Sequence, residues 1–111
     1  MKLHHETIDE ALEALARDRP SALALQAPGR KPLTYAALAE QIRRVREYLG
    51  SLDIRRGDIV AGVIPMRPEM AVACVALPAS STFAPLSPSL TADDYSRLLV
   101  RTGAKAVLYV R

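Results

Sequence analysis

The chain has 111 residues and a net charge of +3, with half its residues hydrophobic, so it fits one folded domain rather than a disordered segment. A single Phe, no Trp and a single Cys require an aliphatic core without internal disulfides and exclude a secreted disulfide scaffold. No apolar run approaches the ~20 residues of a membrane span, and the N-terminal MKLHHETIDEALEA has no signal-peptide core, so a cytoplasmic protein without a membrane span is expected.

Thr7 with Glu10 three residues later reads as a capping box. Ile8, Leu12 and Leu15 follow at helical spacing, Arg17 and Arg19 suit the negative helix end, and Pro20 closes the helix. Ala22–Ala27 is a plausible strand. Pro28-Gly29-Arg30-Lys31 is a turn signal, and Lys31-Pro32-Leu33 can pair back as an edge strand. Thr34 caps the next helix, with Leu33 and Leu38 as a hydrophobic staple. Leu38, Ile42, Val45 and Leu49 form its apolar stripe, which predicts a helix from about Tyr35 to Leu49 or Leu52.

The run Ile59-Val60-Ala61-Gly62-Val63-Ile64 is continuously apolar, the pattern of a strand covered on both faces. Pro68 suits a first helical position and Glu69 the positive end of the helix dipole. Met70–Leu77 is apolar almost all round, which predicts a buried helix stopped by Pro78, with Cys74 as a small core residue. Thr82–Leu86 is the return strand of a βαβ unit. Thr91 and Asp94 open another helix with Tyr95, Leu98 and Leu99 on its buried face. Gly103 fits a left-handed cap, and Lys105–Val110 is the final strand. Alternating strands and helices predict an α/β fold: a doubly wound, mostly parallel sheet with flanking helices, forming one domain over residues 1–111.

Candidate site residues give way to plainer roles. His4-His5 are adjacent and lack the spacing of metal ligands. Arg43, Arg44, Arg46, Arg55 and Arg56 have no aromatic interleaving, so a solvated face is expected rather than a nucleic-acid surface. Arg56-Gly57-Asp58 reads as a turn into a strand, Asp93-Asp94 as dipole partners, and Cys74 as packing rather than a nucleophile. The turn Pro65-Met66-Arg67-Pro68-Glu69 has no glycine, two residues without N–H donors, and a carboxylate where a phosphate would sit. No catalytic, cofactor-binding or metal-binding residue is assigned.

Five segments in order resemble the adenylate-forming superfamily of acyl-CoA synthetases, peptide-synthetase adenylation domains and luciferases. Leu33-Thr34-Tyr35-Ala36-Ala37-Leu38 resembles its L-T-Y-x-E-L motif, with Ala37 in place of Glu. Arg56–Ala61 resembles its G-D-x-V-A strand start, and Ile64–Glu69 its L-P-N-x-P-E helix start. Leu77–Leu86 stands where the family has L-K-A-G-A-x-x-V-P-L, with Pro78, Ser80 and Ser81 departing from it. Gly103–Leu108 resembles its S-G-A-K strand, and Asp53 stands where a Gly is usual. The resemblance implies a fragment of the larger N-terminal AMP-binding domain of an acid ligase. Such an enzyme joins a carboxylate to ATP, releases pyrophosphate and passes the acyl group to CoA. ATP, Mg and CoA are implied for the whole enzyme. The phosphate loop, ribose-binding acid and catalytic lysine belong to family segments outside this sequence, so the fragment is expected to bind no cofactor and to be inactive alone. Its expected partners are the remainder of its own enzyme chain and, through exposed faces, further copies of itself; nucleic acid is not among them. The alternatives are an amino-acid-activating adenylation domain of a peptide synthetase and a non-enzymatic interaction module.

Overall fold

The computed structural model describes residues 7–109; His4 and His5 lie outside the described residues. The first helix, α1 (Ile8–Asp18), starts where the Thr7 hydroxyl accepts the Glu10 N–H at 3.3 Å. It packs along α2, but Ile8 is exposed, so the inward stripe is carried by Leu12 and Leu15. Strands β1 (Leu23–Leu25) and β2 (Leu33–Thr34) form an antiparallel hairpin around the 28–31 turn, where Gly29 has a positive φ. Both strands are shorter than the sequence predicts.

Helix α2 (Tyr35–Ser51) follows directly. Thr34 Oγ1 accepts the Ala37 N–H at 3.1 Å, so half of the capping box survives the loss of Glu. The stripe is as expected: Leu38, Ile42 and Leu49 are buried and Val45 packs beside them. Just past the helix, Asp53 has a φ of 58°, the left-handed value usually left to glycine. That turn returns the Ile54 N–H to the Leu49 carbonyl at 2.9 Å and drops Ile54 into the core.

Strand β3 (Ile59–Val63) is the centre of a three-stranded parallel sheet, between β4 (Thr82–Leu86) and β5 (Ala106–Tyr109). Helix α3 (Pro68–Ala76) joins β3 to β4, and α4 (Ala92–Thr102) joins β4 to β5. Right-handed crossovers in opposite directions place α3 and α4 on opposite faces, which is the doubly wound arrangement. Val60, Ile64, Ala73, Leu77, Leu49 and Ile54 form one core cluster, with Phe83 and Ala106 against it. A second joins the first half of α2, the hairpin and the end of α3. Ala61, on the other face of β3, is fully buried.

Of the expectations for α3, one holds and one is corrected. The α-helix ends at Ala76, ahead of Pro78, which sits inside a 3-10 turn, Leu77–Ala79. The ring fits there because the first residues of such a turn need no N–H donor. Cys74 is exposed rather than packed in the core. Only one side of α3, with Ala73, Ala76 and Leu77, meets the sheet and α2, while Ala71, Cys74 and Pro78 face outward.

Gly62 is a tight point in the sheet. A Cβ there would lie 2.8 Å from Phe83 Cζ, so the aromatic ring occupies the space that the glycine leaves. Gly62→Ala is expected to destabilise the fold by about 1–3 kcal/mol through overpacking. In a Phe83→Ala background the same substitution should cost clearly less, measured as the coupling in a urea-denaturation double-mutant cycle.

Candidate functional site

In open α/β sheets, ligands bind outside the carboxyl ends of the strands, so the loops after β3 and β4 come first. The loop after β3 runs through Pro65, Met66 and Arg67 into α3. Pro65 and Pro68 offer no N–H. The Arg67 N–H is spent on the Pro65 carbonyl at 2.7 Å and that of Met70 on the Arg67 carbonyl at 2.9 Å. Arg67, the N-cap, makes no side-chain cap. Glu69 occupies the first turn of the helix, and Arg30 donates to its Oε1 at 2.7 Å. The Arg30 guanidinium holds the Glu69 carboxyl below its ordinary value. The turn therefore holds its own anion and has few donors left for a phosphate.

The loop after β4 carries Ser87 and Ser89, whose hydroxyls pair at 2.9 Å, and Tyr95 donates its hydroxyl to the Ser87 carbonyl at 2.6 Å. These hydroxyls hold the loop against the first turn of α4. No group of three or more metal-ligating side chains exists among the described residues.

The other candidates fall into structural pairings. Arg43 and Arg44 both reach Glu40, and Arg46 reaches Asp9 at 3.1 Å. Arg55 lies 3.5 Å from Asp53. Arg56 donates to the Ala79 carbonyl at 3.2 Å, tying the loop before β3 to the end of α3. The Asp94 N–H caps on Thr91 at 3.2 Å. Cys74 lines a small depression of about 240 Å³ with Arg56, Val75 and Ser81.

One polar knot was not foreseen from the sequence. At the amino ends of the strands, Asp58 Oδ2 accepts the Arg55 N–H at 2.8 Å and lies 3.3 Å from Lys105 Nζ. Lys105 also donates to the Asp53 carbonyl at 2.6 Å, and its N–H bonds Ile59. The Asp58 carbonyl accepts the Thr82 N–H at 2.8 Å, and Thr82 Oγ1 donates to Arg56 O. This knot gathers the starts of β3, β4 and β5. The only sequence signal is a Gly-Asp before one strand and a Lys before another, 47 residues apart.

A concavity of about 830 Å³ lies between the hairpin turn and the start of α3, spanned by the Arg30–Glu69 pair. Its lining has no Ser, Thr, Cys or His and a single carboxylate, Glu69, which Arg30 already holds.

The Arg55 N–H, joined by Lys105, holds the Asp58 carboxyl below its ordinary value of 3.8. A depressed folded value gives stability that is complete above 3.8 and lost as pH falls through the folded value. Asp58→Asn should therefore lower the melting temperature at pH 7. The gap from the parent should close on acidification below about pH 4, read by calorimetry across pH.

Comparison with known proteins agrees with this scaffold. The family model described as AMP-binding enzyme matches residues 12–111. Phosphinothricin tripeptide synthetase PhsC of Streptomyces viridochromogenes is 34% identical over 97% of this chain, which spans 10% of that protein. Oxalate–CoA ligase of Arabidopsis thaliana is 32% identical over 93% of the chain, or 20% of the ligase. The solved nonribosomal peptide synthetase FmoA3 superposes with a TM-score of 0.84 at 30% identity, over 98% of this chain and 12% of that one. The N-terminal subdomain of Klebsiella oxytoca NpsA shares the fold, with a TM-score of 0.81 over 95% of this chain and 27% of that subdomain, at 23% identity. The chain thus spans a tenth to a fifth of these curated relatives and corresponds to the N-terminal part of an adenylate-forming domain. With the family match running from the first helix to the last strand, this chain belongs to the AMP-binding enzyme family.

Proposed function

We propose that this chain is the scaffold segment of an adenylate-forming acid ligase and carries no catalytic group of its own. In the whole enzyme, a carboxylate oxygen attacks the α-phosphorus of ATP, pyrophosphate leaves, and the acyl adenylate passes its acyl group to a pantetheine thiol with loss of AMP. ATP and Mg would be held by segments beyond this one. The observation that carries the reading is the family match over residues 12–111, on a fold whose carboxyl-end turn is filled by its own Glu69. The role of the segment is to fix part of the large domain's sheet, in a cytoplasmic setting. No helix among the described residues is long and apolar enough to cross a membrane, which suits that setting.

For the acyl acceptor, the carrier-protein reading now takes precedence over free CoA. Two peptide synthetases, PhsC at 34% and the Aspergillus fumigatus synthetase sidE at 31%, stand beside one CoA ligase at 32%, and FmoA3 is a peptide synthetase too.

The 111-residue chain is expected to show no ATP–pyrophosphate exchange with amino or aryl acids. The reading frame after codon 111 should continue into a Ser/Thr/Gly-rich segment ending P-K-G. Exchange above the blank by the chain alone would overturn the scaffold reading.

A second, non-enzymatic reading is favoured by β5. Val107, Leu108 and Tyr109 are 42%, 40% and 59% exposed, and the outer edge of this strand is unpaired among the described residues. Such an edge supports self-association. Light scattering should show mass rising with concentration, and Val107→Lys with Tyr109→Lys should restore the monomer. A parent chain that stays monomeric at high concentration counts against this reading.

A further inference from the structure

The hairpin is anchored firmly at its base and lightly at its tip. At the base, the Tyr35 N–H donates to the Ala22 carbonyl at 3.0 Å and the Ala36 N–H to the Pro20 carbonyl at 3.2 Å. Ala24, Leu25 and Leu33 pack into the second core cluster. The tip, residues 26–32, lies beyond the last strand pairing, Leu25 with Leu33, and no residue of it belongs to either cluster. It stands across the 830 Å³ concavity from Met66, Arg67 and Glu69. The Arg30 N–H donates to the Ala27 carbonyl at 3.2 Å, a bond that stays within the turn. Among the described residues, the one hydrogen bond or ion pair that ties this tip to an element outside the hairpin is Arg30 to Glu69, at 2.7 Å.

We infer that Arg30 and Glu69 form an electrostatic latch, and that the hairpin tip closes over the concavity or swings off α3 as the pair makes and breaks. The pair is poised near balance. Its side chains are 52% and 36% exposed, so water and salt compete for both charges. The closed position uses Oε1 alone. Glu69 Oε2 is shielded from solvent without a partner, a cost that offsets part of the attraction. Arg67, two residues before Glu69, also acts on that carboxylate, so its charge is not left bare when Arg30 departs. Pro28 and Pro32 restrict the backbone on either side of Arg30, so the tip moves as one piece on a fixed base. Opening widens the mouth of the concavity, and ionic strength then governs access to its apolar floor of Leu25, Leu33 and Val72. The latch goes beyond the scaffold reading and does not depend on it, because it involves no residue of the three-stranded sheet.

The test is NMR spectroscopy of the isotope-labelled 111-residue chain through a sodium chloride titration. As salt rises, the amide peaks of Ala27, Gly29, Arg30 and Lys31 should move along straight lines towards their positions in Glu69→Gln and in Arg30→Gln. Their heteronuclear NOE should fall along the same path. Loss of the pair should lower the ratio of closed to open tip up to about fivefold, the scale of an exposed ion pair. Glu69→Gln should abolish the salt response of the tip. Glu40→Gln, which removes a different exposed pair on α2, should leave that response intact. The amides of Leu25, Tyr35 and Ala36 should keep their order throughout. The inference is overturned by tip order that is the same in the parent and in Glu69→Gln, by a parental salt response in that variant, or by a base that loosens together with the tip.

Discussion

The structure depends on β3 being buried on both faces and bonded on both edges. Val60 and Ala61 are 1% and 0% exposed, and they point to opposite sides. A strand without a wet face needs helices above and below it, and parallel neighbours need crossovers to supply them. The rest of the chain answers that need. Helix α3, backed by α2, closes the face of Val60 and Ile64. The hand of the crossovers leaves α4 for the face of Ala61. Gly62 yields its side-chain volume to Phe83, the chain's only phenylalanine, so the central strand is the thinnest element of its own core.

The same demand leaves the strand-to-helix turn without a phosphate cradle. A phosphate site at a strand-to-helix turn needs free N–H groups and close backbone approach. Here the turn is built from prolines and closed by the Arg30–Glu69 pair, which fastens α3 to the hairpin. A second set of polar groups is spent at the opposite end of the sheet. There, Asp58, Lys105, Arg56 and Thr82 hold three strand starts together. Membership of the AMP-binding family is compatible with the proposed scaffold role: a large enzyme can position its chemistry with a part that does not carry it.

Much of this was legible before any coordinates. The stripe of α2, the cap residues Thr7, Thr34 and Thr91, the left-handed positions at Asp53 and Gly103, and the strand Thr82–Leu86 fall where local chemistry places them. These features are set by a residue and its neighbours within a turn or two. The errors lie where a helix has several apolar sides and periodicity cannot choose among them. Around α3 the sequence is apolar in nearly every direction, so it could not tell that Cys74 and Ala71 face out while Ala73 and Ala76 face in. Ile8 fits the stripe of α1 but lies at the helix's first position, beyond the reach of α2's buried face.

The sequence by itself determined the elements, their order, the parallel βαβ core and the family resemblance, because each rests on short-range pattern. Only the tertiary structure decided how distant residues meet. Lys105 finds Asp58, Arg30 finds Glu69 and Phe83 fills the space over Gly62, each across a separation that no local pattern spans. It also decided what stays uncovered: the rim of the hairpin groove and the outer strand β5. Exposure belongs to the packing of the whole chain, and a residue's type fixes only how costly that exposure is.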